Sequence, residues 1–297
     1  MKRFRVWLAN PWGKPRTLIA ITWLYVVWSL APVAIAVLFS FNSGRSRSVW
    51  QGFSLRWYWT DPYLSVRNDP TLHHALLNSL VLAVLAICVA TPLGVALAVG
   101  MVRWRSRTAR VTRVGMLIPL VTPELVIGTS LFLVFTQLFD AISLGRPAQL
   151  IGHVTLSLSY VVIITRSRLL TIGPDLELAA RDLGATPLQA VRLVLVPLLA
   201  PAIIASAVIV FATSIDDFVV SSFLSNGAGS ETVPVKLYGS IRGGATPALN
   251  ALATCTLVAT IGALIVIYTV IRNVRRRSGD EDASTSALRT VADFEVL

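Results

Sequence analysis

Six stretches of the chain stay apolar long enough to cross a bilayer: about residues 18–39, 76–99, 114–138, 148–165, 201–224 and 249–271. A crossing helix needs roughly 20 mostly apolar residues. The fourth run is the shortest. None alternates over about ten residues, as strands of a lipid-facing barrel do. The pattern predicts an all-α integral membrane protein with six transmembrane helices. The first run exceeds the apolar core of a signal peptide, and no small-residue cleavage site follows FSFNSGR, so it counts as a span.

The period changes in the segment 166–200. Leu176, Ala179, Ala180 and Leu183 recur at spacings of three and four, which predicts a short helix with one apolar stripe. Gly184 suits its C-terminal turn. Thr186, Pro187 and Gln189 then supply the cap, the first-position proline and the third-position partner of a capping box, so a second helix opens at once. Val191, Leu195 and Leu198 continue it until Pro197 and Pro201 interrupt. The expected product is a helix–turn–helix knob at the membrane face, shaped to enter a groove on a partner.

Only 14% of the residues are charged and 55% are hydrophobic; soluble domains carry about 25% charged residues. Too little polar surface remains to cover six apolar runs in a soluble fold. With the N-terminus inside, the inner segments hold nineteen of the 26 lysines and arginines and the outer ones seven. The positive-inside rule then puts both termini in the cytoplasm. Residues 1–17 form a basic arm, 18–271 the six-span domain with its loop 166–200, and 272–297 a polar tail that is disordered in character. The net charge of +11 follows from this bias and from attraction to anionic lipid. It calls for no nucleic acid.

Several classes of chemistry lack their residues. There is no GxxxxGK[ST] loop, so ATP cannot be held by that route and nucleotide power must come from another subunit. Cys88 and Cys255 lie inside spans as small apolar fillers. Three histidines, with His73 and His74 adjacent, make no metal pattern. A membrane enzyme would need a clustered nucleophile, base or metal set. An ion-coupled carrier stays open as a class; it predicts transport without an ATPase.

The polar exceptions inside the spans carry the candidate path. Asp216 lies fifteen residues beyond Pro201, roughly 22 Å along a helix at about 1.5 Å per residue, in the outer half of span five. Intramembrane carboxylates are costly and mark functional sites. Ser214, Asp217 and Ser221 share one face by i+3 and i+4 spacing. Glu124, after Pro123, falls near the middle of span three. These are acidic groups without a basic partner in the spans, so a partner subunit neutralises them or they attract a cationic solute. Helix capping or interhelical hydrogen bonding is the structural alternative. Thr91, Pro92 and Gly94 in span two, and Pro119 and Pro123 in span three, allow kinks and close approach. The final external loop, with Lys236, Tyr238, Gly243 and Gly244, has the composition of a mobile or docking loop, where Tyr238 is a weak candidate for solute contact. The outer segment 40–75 carries Trp50, Trp57, Tyr58 and Trp59, either an aromatic belt or a docking surface.

LAARDLG, with Ala179, Ala180 and Gly184, followed by VLVP ending at Pro197, resembles the EAA loop of the permeases of binding-protein-dependent ABC importers. The typical pattern is EAA, three residues, G, nine residues, I, one residue, LP. This chain departs where Leu178 replaces the Glu and Glu177 stands one residue early; Val194 and Val196 replace the Ile and Leu. The resemblance covers roughly 18–271. SIDDFVVSSFLSNG, TVPVKLYGSIRGGATPALNALAT and PLVTPELVIG are similar to the second permease of spermidine/putrescine importers. The resemblance implies a type I importer (MetI-like) fold in a bacterial inner membrane. It implies a second permease chain, two ATPase subunits that bind ATP and Mg, and an extracytoplasmic solute-binding protein. Glu177, Ala179, Ala180, Asp182, Gly184 and Pro197 would form the ATPase-coupling loop. Glu124, Ser214, Asp216, Asp217, Ser221 and Tyr238 would line the path or gate.

Overall fold

The computed structural model describes residues 16–46, 49–103, 111–112, 114–139, 141–243 and 246–277. Most of the basic arm and most of the polar tail lie outside the described residues. The α-helices among the described residues are α1 (Arg16–Ser40), α2 (Pro70–Arg103), α3 (Ile118–Val121), α4 (Glu124–Leu133), α5 (Arg146–Ile172), α6 (Asp175–Asp182), α7 (Pro187–Ala190), α8 (Val196–Asp216), α9 (Val219–Leu224), α10 (Val233–Gly243) and α11 (Pro247–Arg277). Among the described residues, five helical runs are long and apolar enough to cross a bilayer: Thr17–Ser40, Pro70–Arg103, Arg146–Ile172, Pro187–Asp216 and Pro247–Val266.

The six-helix expectation is therefore met in part: five helices are long and apolar enough to cross, and the third expected run is broken. The third run splits at Thr122, which is extended with ψ 129°. A residue before proline is pushed out of the helical region, and Pro123 follows. The helix resumes at Glu124 and passes through a π-helical turn, Val134–Leu138. Pro92 has the same neighbour type, Thr91, yet α2 runs through it. Both prolines are exposed, but Thr91 is buried in the bundle whereas Thr122 is half-buried. Pro197 and Pro201 do not interrupt the fifth run either. A π-helical turn, Val191–Leu195, absorbs the missing N–H upstream, with Val196 donating to the Val191 carbonyl, and the helix continues to Asp216. The run stops there rather than at 224.

The core is a bundle of α2, α5 and α8. Ala83, Ala86, Ala90, Gly94 and Ala98 line one face of α2, all buried. Small residues let membrane helices approach closely. At Gly94 a Cβ would sit 2.6 Å from the side chain of Val161 on α5. Below this contact, toward α6, Met101, Val162, Leu169, Leu195 and Leu199 form a cluster. α1 packs on α11 and is exposed along most of its length.

At the end of the bundle opposite α6, residues 41–46 and 49–69 fold into a lobe. Trp57 is fully buried, and its Nε1 donates to the Asn42 carbonyl at 2.6 Å. It packs with Val66, Leu72, Val233, Leu249 and Leu252. Trp57 thus belongs to a core, not to an aromatic belt; Trp50 and Trp59 stay exposed. Asp61 organises the turn, accepting from the Tyr63 and Leu64 amides and pairing with Arg56 at 2.8 Å. Burial pushes the Asp61 carboxyl up, but the two amide bonds and Arg56 outweigh it, and its pKa lies below the ordinary value. The lobe's stability from this group is then present above the unfolded value of about 3.9 and is lost as pH falls through the lower, folded value. Trp fluorescence of the lobe should hold steady down to that range and change below it. Asp61→Asn should flatten the acid limb, and an unaltered acid limb in that variant would remove Asp61 as its cause.

Candidate functional site: a buried polar corner and a helical elbow

Span five ends in a corner. α8 stops at Asp216, Asp217 turns extended (ψ 118°), and α9 begins at Val219. The Asp217 carboxylate accepts from the Ser221 amide at 2.7 Å and the Val220 amide at 3.4 Å. It thereby satisfies free N–H groups at the start of α9. Across from it, α5 supplies His153, which is 2% exposed. Its Nε2 lies 3.2 Å from Asp217 Oδ2 and 2.9 Å from Ser221 Oγ, and its Nδ1 lies 2.7 Å from Ser214 Oγ. One turn earlier, buried Gln149 donates to the carbonyls of Ser221 and Ser230.

Ser214, Asp217 and Ser221 do converge, as their spacing predicts, but not on one continuous helix. The helix breaks between them and His153 gathers them. The expectation that the acidic groups lack a basic partner in the spans fails for Asp217. The signal was available: Gln149, His153 and Ser157 recur every four residues, a polar stripe on α5.

The two neighbouring aspartates have opposite surroundings. Asp216 is exposed and, among the described residues, has no side-chain hydrogen bond or ion pair. Beside the corner, Phe218 and Tyr238 of α10 pack with ring centroids 4.6 Å apart and planes tilted by 47°. Tyr238 therefore sits on a helix; the expected loop is helical from Val233 to Gly243, and Gly244 lies outside the described residues. Glu124 is exposed in the first turn of α4, where the helix dipole favours an acid. One turn on, Gly128 faces Phe223 of α9, whose ring would lie 2.9 Å from an added Cβ. Glu124 and the corner thus sit on touching elements, with no contact joining Glu124 to Asp216 or Asp217.

The elbow at the other end follows its sequence closely. α5 ends at Gly173, φ +70°. α6 closes with a Schellman turn: Ala185 N–H donates to the Ala180 carbonyl and Gly184 N–H to that of Arg181, with Gly184 at φ +91°. The Thr186–Gln189 capping box is complete and opens α7. Leu176, Leu178, Leu183 and Leu188 are half to nine-tenths exposed. Ala179 and Asp182 are also exposed, and Ala180 is half-buried. Glu177 instead turns inward to form an ion pair with Arg103 at the end of α2. Pro197 is the second residue of α8, inside the continuous run Pro187–Asp216 and not at a break.

A bundle with a polar intramembrane corner at one end and an apolar, glycine-jointed elbow at the other defines a membrane permease. Residues 90–279 match the family described as the binding-protein-dependent transport system inner membrane component, and the chain belongs to it: it is a multi-pass inner-membrane permease subunit of an ABC importer, a transport subunit rather than an enzyme. It is 37% identical over 279 residues to the putrescine transport system permease protein PotI of Escherichia coli (strain K12), covering 91% of this chain and 95% of the relative. It is 35% identical to the spermidine/putrescine permease PotC of the same strain, covering 84% and 92%. The fold matches a bacterial ABC transporter that imports alginate, with TM-score 0.66 and 15% identity over 88% of this chain and 95% of that one. It also matches the MetNI methionine ABC transporter, with TM-score 0.55 and 21% identity over 68% and 93%. The architecture is the type I importer (MetI-like) fold.

Proposed function

We propose that this chain moves polyamines of the spermidine/putrescine type inward by alternating access. The observation that carries the reading is exposed Asp216 beside the Phe218–Tyr238 pair. A polyamine joins several positive charges to methylene chains. A free carboxylate attracts the charge, and aromatic faces accept both cation and methylene. Asp217, held by His153 and two amides, fixes the corner. The two PotI and PotC relatives, with their named substrates, support the solute class; the alginate and methionine transporters share only the fold.

In this reading α6 and its exposed leucines dock on an ATPase subunit in the cytoplasm, and both chain termini lie on that side. Ile118–Leu138 completes a sixth crossing: at about 1.5 Å per residue it measures roughly 31 Å, against a core of about 30 Å. A second, similar permease chain closes the pathway. Two ATPase subunits supply ATP and Mg chemistry, and a solute-binding protein delivers cargo to the lobe end.

The test is uptake of labelled putrescine and spermidine into vesicles containing the assembled importer. Asp216→Asn should lower uptake at limiting solute about tenfold or more, with Asp216→Glu retaining most of it and assembly unchanged. Equal uptake by Asp216→Asn would remove the site; uptake of another organic amine but neither polyamine would reassign the substrate.

A further inference from the structure

We propose that Arg103 is a positioning residue that ties the coupling elbow to span two, and that Glu177 is its partner rather than a contact for the ATPase. The proposal rests on the reading of α6 as the ATPase-docking helix.

A cleft of about 1040 Å3 opens between α2, α6 and the α7–α8 run, walled by apolar side chains such as Val95, Val99, Leu178, Leu195 and Leu199. α6 packs directly against α7 and the Val191–Leu195 turn. It faces α2 across the cleft. Apolar contact therefore passes a push on α6 directly to span five, and to span two only at second hand, through the Met101, Leu195 and Leu199 cluster.

Arg103 bridges the gap. It is the last residue of α2, and its Nη2 donates both to the Glu177 carboxylate and to the Gly173 carbonyl, the latter at 3.0 Å. Those two acceptors lie on opposite sides of the joint between α5 and α6. Gly173, at φ +70°, is the residue about which that joint would flex. A guanidinium holding the joint and the first turn of α6 together makes the ends of α2, α5 and α6 move as one piece. The side chains of Arg103 and Glu177 are only 21% and 16% exposed, and Arg103 Nε is buried without a partner among the described residues. An arginine at a helix end has the length to reach water; this one folds back over the joint. The displaced acid also finds a purpose. One position later, at Leu178, it would turn about 100° around the helix, and Leu178 is exposed.

The experiment uses the whole importer in lipid vesicles and reads ATP hydrolysed per solute transported, with ATPase co-purification as a separate measure. Arg103→Gln and Glu177→Gln should each raise ATP used per solute several-fold, and the double variant should be no worse than either. The exchanged pair Arg103→Glu/Glu177→Arg should recover much of the loss. Additive effects, or single variants with the unaltered ratio, would overturn the tether. If the single variants fail to assemble, the exchanged pair decides: recovery of assembly and coupling supports the tether, and recovery of assembly alone, or of neither, overturns it. If the unaltered chain retains no ATPase, the docking reading has failed and the tether falls with it; if it retains ATPase and couples tightly while both single variants match it, the tether alone is overturned.

Discussion

Replacing His153 with alanine should destabilise the folded chain by about 3 kcal/mol, the largest loss expected of any single change outside the apolar core. Removing one partner of a buried hydrogen bond leaves the other unsatisfied, at a cost of about 1–3 kcal/mol. Asp217 keeps its two amide donors. Ser214 and Ser221 would lose their ring contacts as well, and each buried hydroxyl left unpaired adds a desolvation cost. The measurement is the unfolding midpoint of the purified protein in mild detergent. His153→Ala should fall well below the unaltered chain, and Asp216→Asn should match it, since Asp216 is exposed and unpaired. A His153→Ala midpoint within error of the parent would show that the corner does not depend on the ring. The contrast between adjacent aspartates is the sharper half: one change alters stability, the other uptake.

Gly184→Val should abolish coupled transport while leaving the protein folded and inserted. Gly184 has φ +91°, and no atom lies within 4 Å of where its Cβ would stand. The substitution thus meets no clash. Its whole effect is backbone strain, of about 1–3 kcal/mol, worst for a β-branched side chain. The chain relieves that strain by opening the Schellman turn, which frees the Ala180 and Arg181 carbonyls and re-aims α6. Transport per ATP should drop tenfold or more, read in the same vesicle assay. Gly227 provides the control. It has φ +110° and equally open surroundings, but it lies in the loop after α9 at the other end of the bundle. Gly227→Val should cost similar stability and spare coupling. Unchanged coupling in Gly184→Val would mean that the elbow's angle does not matter.

The elbow was legible in the sequence because each of its signals is local. A glycine after an apolar stripe and a Thr-Pro-x-Gln cap specify their turns without help from distant residues. The apolar runs were legible for a similar reason, though length misled. The fourth run, the shortest by hydropathy, is a continuous helix of 27 residues. It carries Gln149, His153, Ser157, Ser159 and Thr165 on faces buried in the bundle, and such inward polar groups depress an average that measures suitability for lipid. Proline was read correctly at Pro123, where the helix breaks, and misread at Pro197 and Pro201, where the helix runs on after a π-helical turn.

The corner was half legible. Its serines and aspartates fall within eight residues of one another, so spacing brought them together. His153 is more than sixty residues from Asp217, and only the packing of α5 against α8 joins them. Asp216 and Asp217 looked like a pair because they are adjacent; on a helix that ends between them, adjacency sends them to different surroundings.

The contact at Gly94 decides which internal motions are cheap. Where the Val161 side chain sits against the bare backbone of Gly94, sliding one helix past the other would drive that side chain into the flanking residues of α2 within a fraction of a turn. Lengthwise shear of α2 against α5 is thus blocked, and those two helices act as a single stiff lever. Compliance is left to the seams with less interlock, where α1 and α11 lie along the bundle and where Pro123 divides α4 from α3. A transport cycle built on this chain must tilt the lever as a unit, and a bulkier residue at position 94 would jam its bearing rather than block its passage.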